Sequence, residues 1–160
     1  MSQGPGEGGA PYQQRAIAGW GDMDFNSHMR NTAYLDKSVD VRMMYFVERG
    51  FPMSEFVRRK FGPVVLKDEL EYFREIHLLE EITITLHLAG LSEDGSRLVM
   101  RNDFFRKETP AARVRSTIGW LDLANRKLVC PPEELLEALR DLTRSDDFVT
   151  LPGLVRPDRG

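Results

Sequence analysis

The chain has 160 residues and a mass of 18.3 kDa, a length that fits one domain with its own core. Hydrophobic residues make up 41% and charged residues 29%, which is ordinary for a globular protein and argues against a disordered or membrane-spanning chain. The net charge of −3 gives no general attraction to nucleic acid or anionic lipid, so neither is an expected partner. The single cysteine, Cys130, excludes an internal disulfide framework and favours a reducing compartment.

The first eleven residues are rich in glycine and proline and predict a flexible tail over 1–11. They lack the basic and apolar regions of a secretory signal. No apolar run in the sequence approaches the roughly 18 residues that span a bilayer. We therefore expect a cytoplasmic protein with its main domain over 12–144.

The first predicted elements are a weakly alternating strand over 12–20 and a polar loop over 21–30. A long helix is predicted over 31–49, capped by Asn31 or Thr32, because apolar residues then recur at helical spacing. The residues that define this apolar face are Leu35, Val39, Met43, Phe46 and Val47. Gly50 and the nearby Pro52 end the helix, and a short helix follows over 53–60.

Beyond Pro63 the spacing changes from helical to alternating. Ile82 to Leu88 alternates apolar and polar residues and is the clearest strand of the sequence. One more strand is predicted before it, over 65–75, and two after it, over 97–107 and 112–123. Turn residues between these segments indicate hairpins.

Two prolines at 131–132 predict a helix over 133–142, since proline is tolerated in the first helical turn. The remaining residues, 145–160, show no regular pattern and are interpreted as an irregular C-terminal extension. One strand, a long helix and then four strands in hairpin succession predict an α+β fold. In it an antiparallel sheet curls around one helix.

The segment between the first strand and the long helix carries the chemistry. Asp22, Asp24 and His28 lie in a loop that runs directly into the helix start. A helix start offers free N–H groups suited to an oxyanion, and a nearby carboxylate can attack a carbonyl or activate water. From the residues alone, the commoner interpretation of Asp24 is a turn former or helix cap, and that of His28 is a structural histidine.

This loop resembles the pattern D-x-x-G-H-V-N-N-x-x-Y of the hotdog-fold thioesterases that act on 4-hydroxybenzoyl-CoA and long-chain acyl-CoA. Asp24, His28, Asn31 and Tyr34 match it in register, and the resemblance extends over most of the chain. Ser27 stands in place of the glycine, and Met29 and Arg30 in place of the valine and the first asparagine. The resemblance implies five or six strands around one central helix.

The resemblance also implies an activity, the hydrolysis of acyl-CoA thioesters to free acid and CoA. Asp24 takes the position of the catalytic carboxylate, as nucleophile or general base. The backbone N–H of Asn31 takes the position of the oxyanion donor, and His28 shapes the loop or assists. The active site is expected between the protomers of a homodimer or homotetramer, with no cofactor.

Candidate substrate contacts follow from position and charge. Met29 and Tyr34 lie where a pocket for the acyl group is expected. Arg58 and Arg59 are candidates for the CoA phosphates, because the planar guanidinium suits phosphate. A second basic cluster, equally interpretable as solvated surface, contains Arg97, Arg101, Arg106, Lys107, Arg113 and Arg115.

Several alternatives stay open or fail at this stage. The chain is alternatively a hotdog protein that binds acyl-CoA without turnover, or a dehydratase using Asp24 with His28. Glu69 is a candidate helping base, or part of a solvated strand face. A calcium loop at Asp22 fails because the glycine and glutamate of that motif are missing. His77 and His87 have no metal-ligand spacing, so no metal site is predicted.

Overall fold

The computed structural model describes residues 10–155, so most of the predicted tail lies outside the described residues. The described chain contains seven strands and three α-helices. The strands are β1 (Tyr12–Ile17), β2 (Phe61–Tyr72), β3 (Glu81–Ser92), β4 (Arg97–Arg106), β5 (Thr109–Asp122), β6 (Lys127–Val129) and β7 (Arg144–Leu151). The helices are α1 (Asn31–Glu48), α2 (Met53–Arg59) and α3 (Glu133–Arg140).

One sheet contains all seven strands. Its main path has the order β1-β3-β4-β5-β2, and every neighbouring pair along this path is antiparallel. β6 adds to β5, and β7 pairs with β3 in parallel. The order leaves β2 at the end of the sheet.

The helix α1 packs against one face of the sheet. The alternation predicted for Ile82 to Leu88 is confirmed, because the even-numbered residues of β3 from 82 to 88 are all fully buried against it. The predicted helical face is only partly correct. Phe46 is buried, but Val39 and Val47 are exposed at 42% and 53%. The buried positions of α1 are Ala33, Tyr34, Ser38, Val41, Arg42, Tyr45 and Phe46.

Aromatic side chains close the core at the C-terminal end of α1. The Trp120 ring, fully buried on β5, lies 6.0 Å from that of Phe46 and stacks on that of Phe56 at 6.3 Å. Its indole N–H donates to the carbonyl of Gly95 at 3.0 Å. Gly95 has a positive φ of 75° in the β3–β4 turn, and a Cβ there would lie 2.7 Å from Leu136 Cδ1. The turn therefore requires glycine for both conformation and space.

The C-terminal segment corrects the sequence interpretation. Residues 145–151 are not irregular but belong to β7, which lies beside β3. Arg101 on β4 explains the attachment, because its guanidinium donates to Asp146 at 2.8 Å and to Asp147 at 3.0 Å. Arg115 also pairs with Asp147. These ion pairs add to the backbone pairing with β3 in holding the segment to the sheet.

Helix boundaries agree closely with prediction, whereas caps and some strand ends do not. α1 begins at Asn31, so the N-cap residue is Arg30 and not Asn31 or Thr32. The strand predicted over 65–75 begins earlier, at Phe61, and ends earlier, at Tyr72. No helix within residues 10–155 is both long and apolar enough to cross a membrane.

Candidate active site

Asp24 organises the loop that precedes α1. Its Oδ1 accepts hydrogen bonds from the N–H of Asn26 at 2.8 Å and of His28 at 3.1 Å. Its own N–H donates to the carbonyl of His28 at 2.7 Å. One carboxylate oxygen is therefore fixed by the backbone. Asp24 itself is solvent-exposed in the single chain.

Ser27 takes the left-handed conformation, with a φ of 61°. This is the position at which the resembling motif has glycine, so the loop has a glycine-like shape despite the serine. A left-handed L-residue costs roughly 1–2 kcal/mol. The hydrogen bonds that Asp24 accepts on either side of Ser27 offset that strain, and the departure from the motif leaves the loop closed.

Asp22 connects the loop to the helix, a role that the sequence did not indicate. Its Oδ2 accepts from the N–H of Gly19 at 2.9 Å and pairs with Lys37 Nζ on α1 at 3.0 Å. Burial acts to raise the pKa of Asp22, but the Gly19 N–H and the Lys37 ammonium outweigh it and lower this pKa below the ordinary value. The carbonyl of Asp22 accepts from the N–H of Arg30 at 2.9 Å. The start of α1 is thereby held beside the Asp24 loop.

Asn31 is the first helical residue, as an oxyanion donor at a helix start requires. Its side-chain Oδ1 accepts from the N–H of Thr32 at 3.0 Å. Within residues 10–155, the Asn31 N–H has no hydrogen-bond acceptor. This donor is therefore not used within the described part of the chain.

Tyr34 is a buried side chain near the start of α1. It is 2% exposed, and its ring packs edge-to-face on the rings of Tyr72 at 5.3 Å and Phe104 at 5.2 Å. Burial first, then the negative potential of Tyr72, Asp24 and Glu75, raises the pKa of Tyr34 to about 12. The Tyr34 hydroxyl therefore keeps its proton at physiological pH, in the electrostatic field of the Asp24 and Glu75 carboxylates.

The raised pKa of Tyr34 predicts a loss of stability in alkali. An unfolded tyrosine ionises near 10.0, whereas folded Tyr34 holds its proton to about 12. Its contribution is therefore complete below pH 10 and is lost as the pH rises towards 12. We expect Tyr34→Phe to flatten the fall in unfolding free energy over this range, measured by urea titration. Tyr72→Phe, a change at a half-exposed ring, should flatten it less; equal slopes in Tyr34→Phe and the parent would contradict the assignment.

Met29 lies inside the core and not along an open groove. It is 5% exposed, and its N–H donates to the carbonyl of Ile76 at 2.8 Å. The loop is thus joined to the segment between β2 and β3. That contact brings residues 73–80 to the site, which the sequence gave no sign of.

His28 lies at this junction. Its Nε2 is 3.1 Å from Glu75 Oε2, and its ring is 5.1 Å from that of His77 at an interplanar angle of 80°. His77 has no metal-ligand spacing in the sequence, and the fold brings it beside His28 from a different segment. Glu69, the other candidate carboxylate, is exposed and paired with Lys67.

The basic residues considered for CoA already have acidic partners. Arg58 and Arg59 both pair with Glu55, which lowers the pKa of Glu55 to about 2 through their hydrogen bonds. They lie on α2, beyond the C-terminal end of α1, and 18 helical residues span about 27 Å. In one protomer these arginines are thus at the opposite end of α1 from Asp24.

Several members of the second basic cluster also have acidic partners. Arg101 and Arg113 both bind the buried carboxylate of Asp103. Arg106 pairs with Glu80 at 3.3 Å. These guanidinium groups hold the outer face of the sheet and β7 together.

Comparison with known proteins identifies the fold and family. The sequence model of one protein family, the thioesterase-like superfamily, matches residues 18–139 of this chain. A hypothetical protein from Staphylococcus aureus, solved in complex with CoA, shares 18% identity with a TM-score of 0.76, over 89% of this chain and 90% of that one. A 1,4-dihydroxy-2-naphthoyl-CoA thioesterase from Synechocystis shares 13% identity with a TM-score of 0.74, over 83% and 98% of the two chains.

A third similar structure, a hypothetical protein from Aquifex aeolicus, shares 21% identity with a TM-score of 0.75, over 81% of this chain and 99% of that one. A search of curated proteins found no match. These structures confirm the predicted α+β architecture, a curled antiparallel sheet around one long helix. The fold is a hotdog fold, and the chain belongs to the thioesterase-like superfamily.

Proposed function

We propose that this protein hydrolyses acyl-CoA thioesters to the free acid and CoA, with Asp24 as nucleophile or general base. The observation that carries the proposal is the fixed carboxylate of Asp24. Backbone N–H groups hold its Oδ1, and Oδ2 accepts no hydrogen bond within residues 10–155. A carboxylate held in this way has its position set before substrate arrives, which is what catalysis by positioning requires.

The chemistry needs a second group for the developing negative charge. In the proposal this second group is the N–H of Asn31, at the positive end of α1, which donates a hydrogen bond to the developing oxyanion. If Asp24 attacks, thiolate leaves and water hydrolyses the resulting anhydride. If Asp24 acts as base, it takes a proton from water, which attacks the carbonyl directly. Both routes give one acid and one thiol for each water consumed.

The exposure of Asp24 in a single chain supports a site completed by a second copy. Two large aromatic side chains near it are also exposed, Trp20 at 83% and Phe25 at 100%. At the end of the sheet, β2 presents an outer edge with exposed Val65 and Leu66. Bare strand edges with apolar side chains are pairing surfaces. The proposal therefore includes a homo-oligomer in which the partner covers Asp24.

CoA as the thiol, and the range of acyl groups, are part of the proposal. One similar structure contains CoA, and two others are thioesterases of the aromatic 1,4-dihydroxy-2-naphthoyl-CoA and gentisyl-CoA. CoA phosphates would bind to arginines whose acidic partners can be displaced, and Arg58 and Arg59 remain candidates from a partner protomer. A cytoplasmic location stays a prediction of the sequence.

A thiol-release assay over short, long and aromatic acyl-CoAs tests the proposed function. We expect turnover of at least one member, because the proposal assigns the carboxylate to Asp24 and the oxyanion donor to the N–H of Asn31. Isothermal titration with CoA, run beside the assay, measures binding alone. Binding of CoA without release of thiol from any acyl-CoA of the panel would contradict hydrolysis and favour a non-catalytic acyl-CoA-binding protein.

A further inference from the structure

Two segments far apart in sequence present two imidazoles and a carboxylate side by side. His28 and His77 form an isolated antiparallel bridge between the Asp24 loop and the segment after β2. The Met29 N–H bond to Ile76 fixes this pairing at 2.8 Å, and the N–H of His77 donates to Glu80 Oε1 at 2.8 Å. Backbone contacts therefore set the relative positions of the two histidines.

The donor atoms of this cluster are close to the spacing that a metal ion needs. His28 Nε2 and Glu75 Oε2 are 3.1 Å apart, and one donor atom from each of His28, Glu75 and His77 lies within 4.8 Å of the others. Tetrahedral zinc with ligands at about 2.0–2.1 Å separates its donor atoms by roughly 3.3 Å. Glu75 and His77 are exposed, so rotation of their side chains can bring the donor atoms to the shorter separation that zinc needs.

We propose that His28, Glu75 and His77 form a binding site for a divalent transition-metal ion such as Zn²⁺. Two imidazoles and one carboxylate are ligands that suit zinc, and three protein ligands leave one coordination position open. The inference is independent of the proposed hydrolysis, because it concerns metal binding alone.

The position of the site gives it a consequence for the Asp24 loop. The N–H of His28 holds Asp24 Oδ1 at 3.1 Å, and its carbonyl accepts from the N–H of Asp24. An ion held by His28 and His77 adds a link between this loop and residues 73–80. We expect Zn²⁺ to raise the melting temperature, because a ligand that binds only the folded chain stabilises it.

A simple ion pair is the competing explanation of the cluster. Protonated His28 beside Glu75 needs no metal and makes no use of the His77 side chain. The two explanations differ in what His77 contributes. The variant His77→Gln leaves the pair of His28 and Glu75 intact, so it distinguishes the metal site from the simple ion pair.

The experiment is isothermal titration of ZnCl₂ into tag-free Cys130→Ser protein, which removes the exposed thiol as a competing ligand. The proposal expects one ion per chain, with affinity at least tenfold weaker in each of His28→Gln, Glu75→Gln and His77→Gln. Two matched controls should keep the parent affinity. They are His87→Gln, whose imidazole lies on β3 opposite Arg101, and Glu81→Gln, whose carboxylate pairs with Arg15.

Thermal unfolding without metal first shows that each variant is folded. Glu75→Gln and His77→Gln change exposed side chains, so they keep the test decisive even if His28→Gln disturbs the loop. Substituting Co²⁺ should give the visible absorption of a tetrahedral site in the parent and not in His77→Gln. The absence of Zn²⁺ binding, or affinity unchanged by His77→Gln, would overturn the proposal.

Discussion

Replacing Asp24 by asparagine is expected to lower kcat for thioester hydrolysis by roughly 10²–10⁴-fold, the usual contribution of a positioned acid–base group, and by more if Asp24 is the nucleophile. Asparagine has an Oδ1 that can accept the same N–H bonds from Asn26 and His28. The loop should therefore keep its shape while the charge and the reactive oxygen disappear. The loss should fall on kcat, with little change in acyl-CoA binding.

A matched control separates this effect from the loss of any acidic side chain near the helix. Asp40 is an exposed carboxylate on α1, and Asp40→Asn should retain the parent kcat. Steady-state thiol release and isothermal titration of CoA are measured on both variants and the parent. An Asp24→Asn protein that is folded, binds CoA and keeps its parent kcat would rule out Asp24 as the catalytic carboxylate.

Replacing Trp120 by alanine is expected to lower the free energy of unfolding by about 3–5 kcal/mol, as large-to-small changes of buried aromatic residues do. Trp120 is fully buried among the rings of Phe46, Phe56 and Phe61. These rings come from α1, α2 and β2, so the cavity would loosen three elements at once. The carbonyl of Gly95 would also lose the indole N–H that it accepts.

Trp120→Phe is the matched variant, because it keeps an aromatic ring and removes only the N–H and part of the volume. Its cost should be smaller, and the difference between the two variants measures the packing contribution. Urea unfolding at one fixed protein concentration is the measurement, since association would otherwise shift the midpoint. Equal losses in the two variants would show that the hydrogen bond to Gly95, and not packing, dominates at this site.

The Asp24 loop shows how far local pattern predicts a candidate site. The spacing of Asp24, His28 and Asn31 indicated a carboxylate loop that leads into a helix start, and the structure has that loop with Asn31 as the first residue of α1. The roles of these side chains in catalysis stay predictions. The sequence places Asp22 in this loop but did not indicate that it ties the loop to α1. Its partners, Gly19 and Lys37, are ordinary residues until the chain brings them together.

The sequence by itself determined the order of the long elements. Alternation in β3 and helical spacing ended by Gly50 are properties of consecutive residues, so they are visible in the chain alone. The strand and the helix each bury one face, and the spacing of apolar residues along the sequence indicates which face that is. The α+β class and the curled antiparallel sheet follow from that order.

The meeting of segments that are far apart in the chain is visible only in the folded protein. The strand β7 joins the sheet by parallel pairing with β3, where Arg101 also reaches Asp146 and Asp147. His28 and His77 come together through a backbone bridge between two loops. Contacts of this kind depend on strand register and on chain reversal over many residues. Neither leaves a periodic signal in the sequence, which is why the site took its full form only in the folded chain.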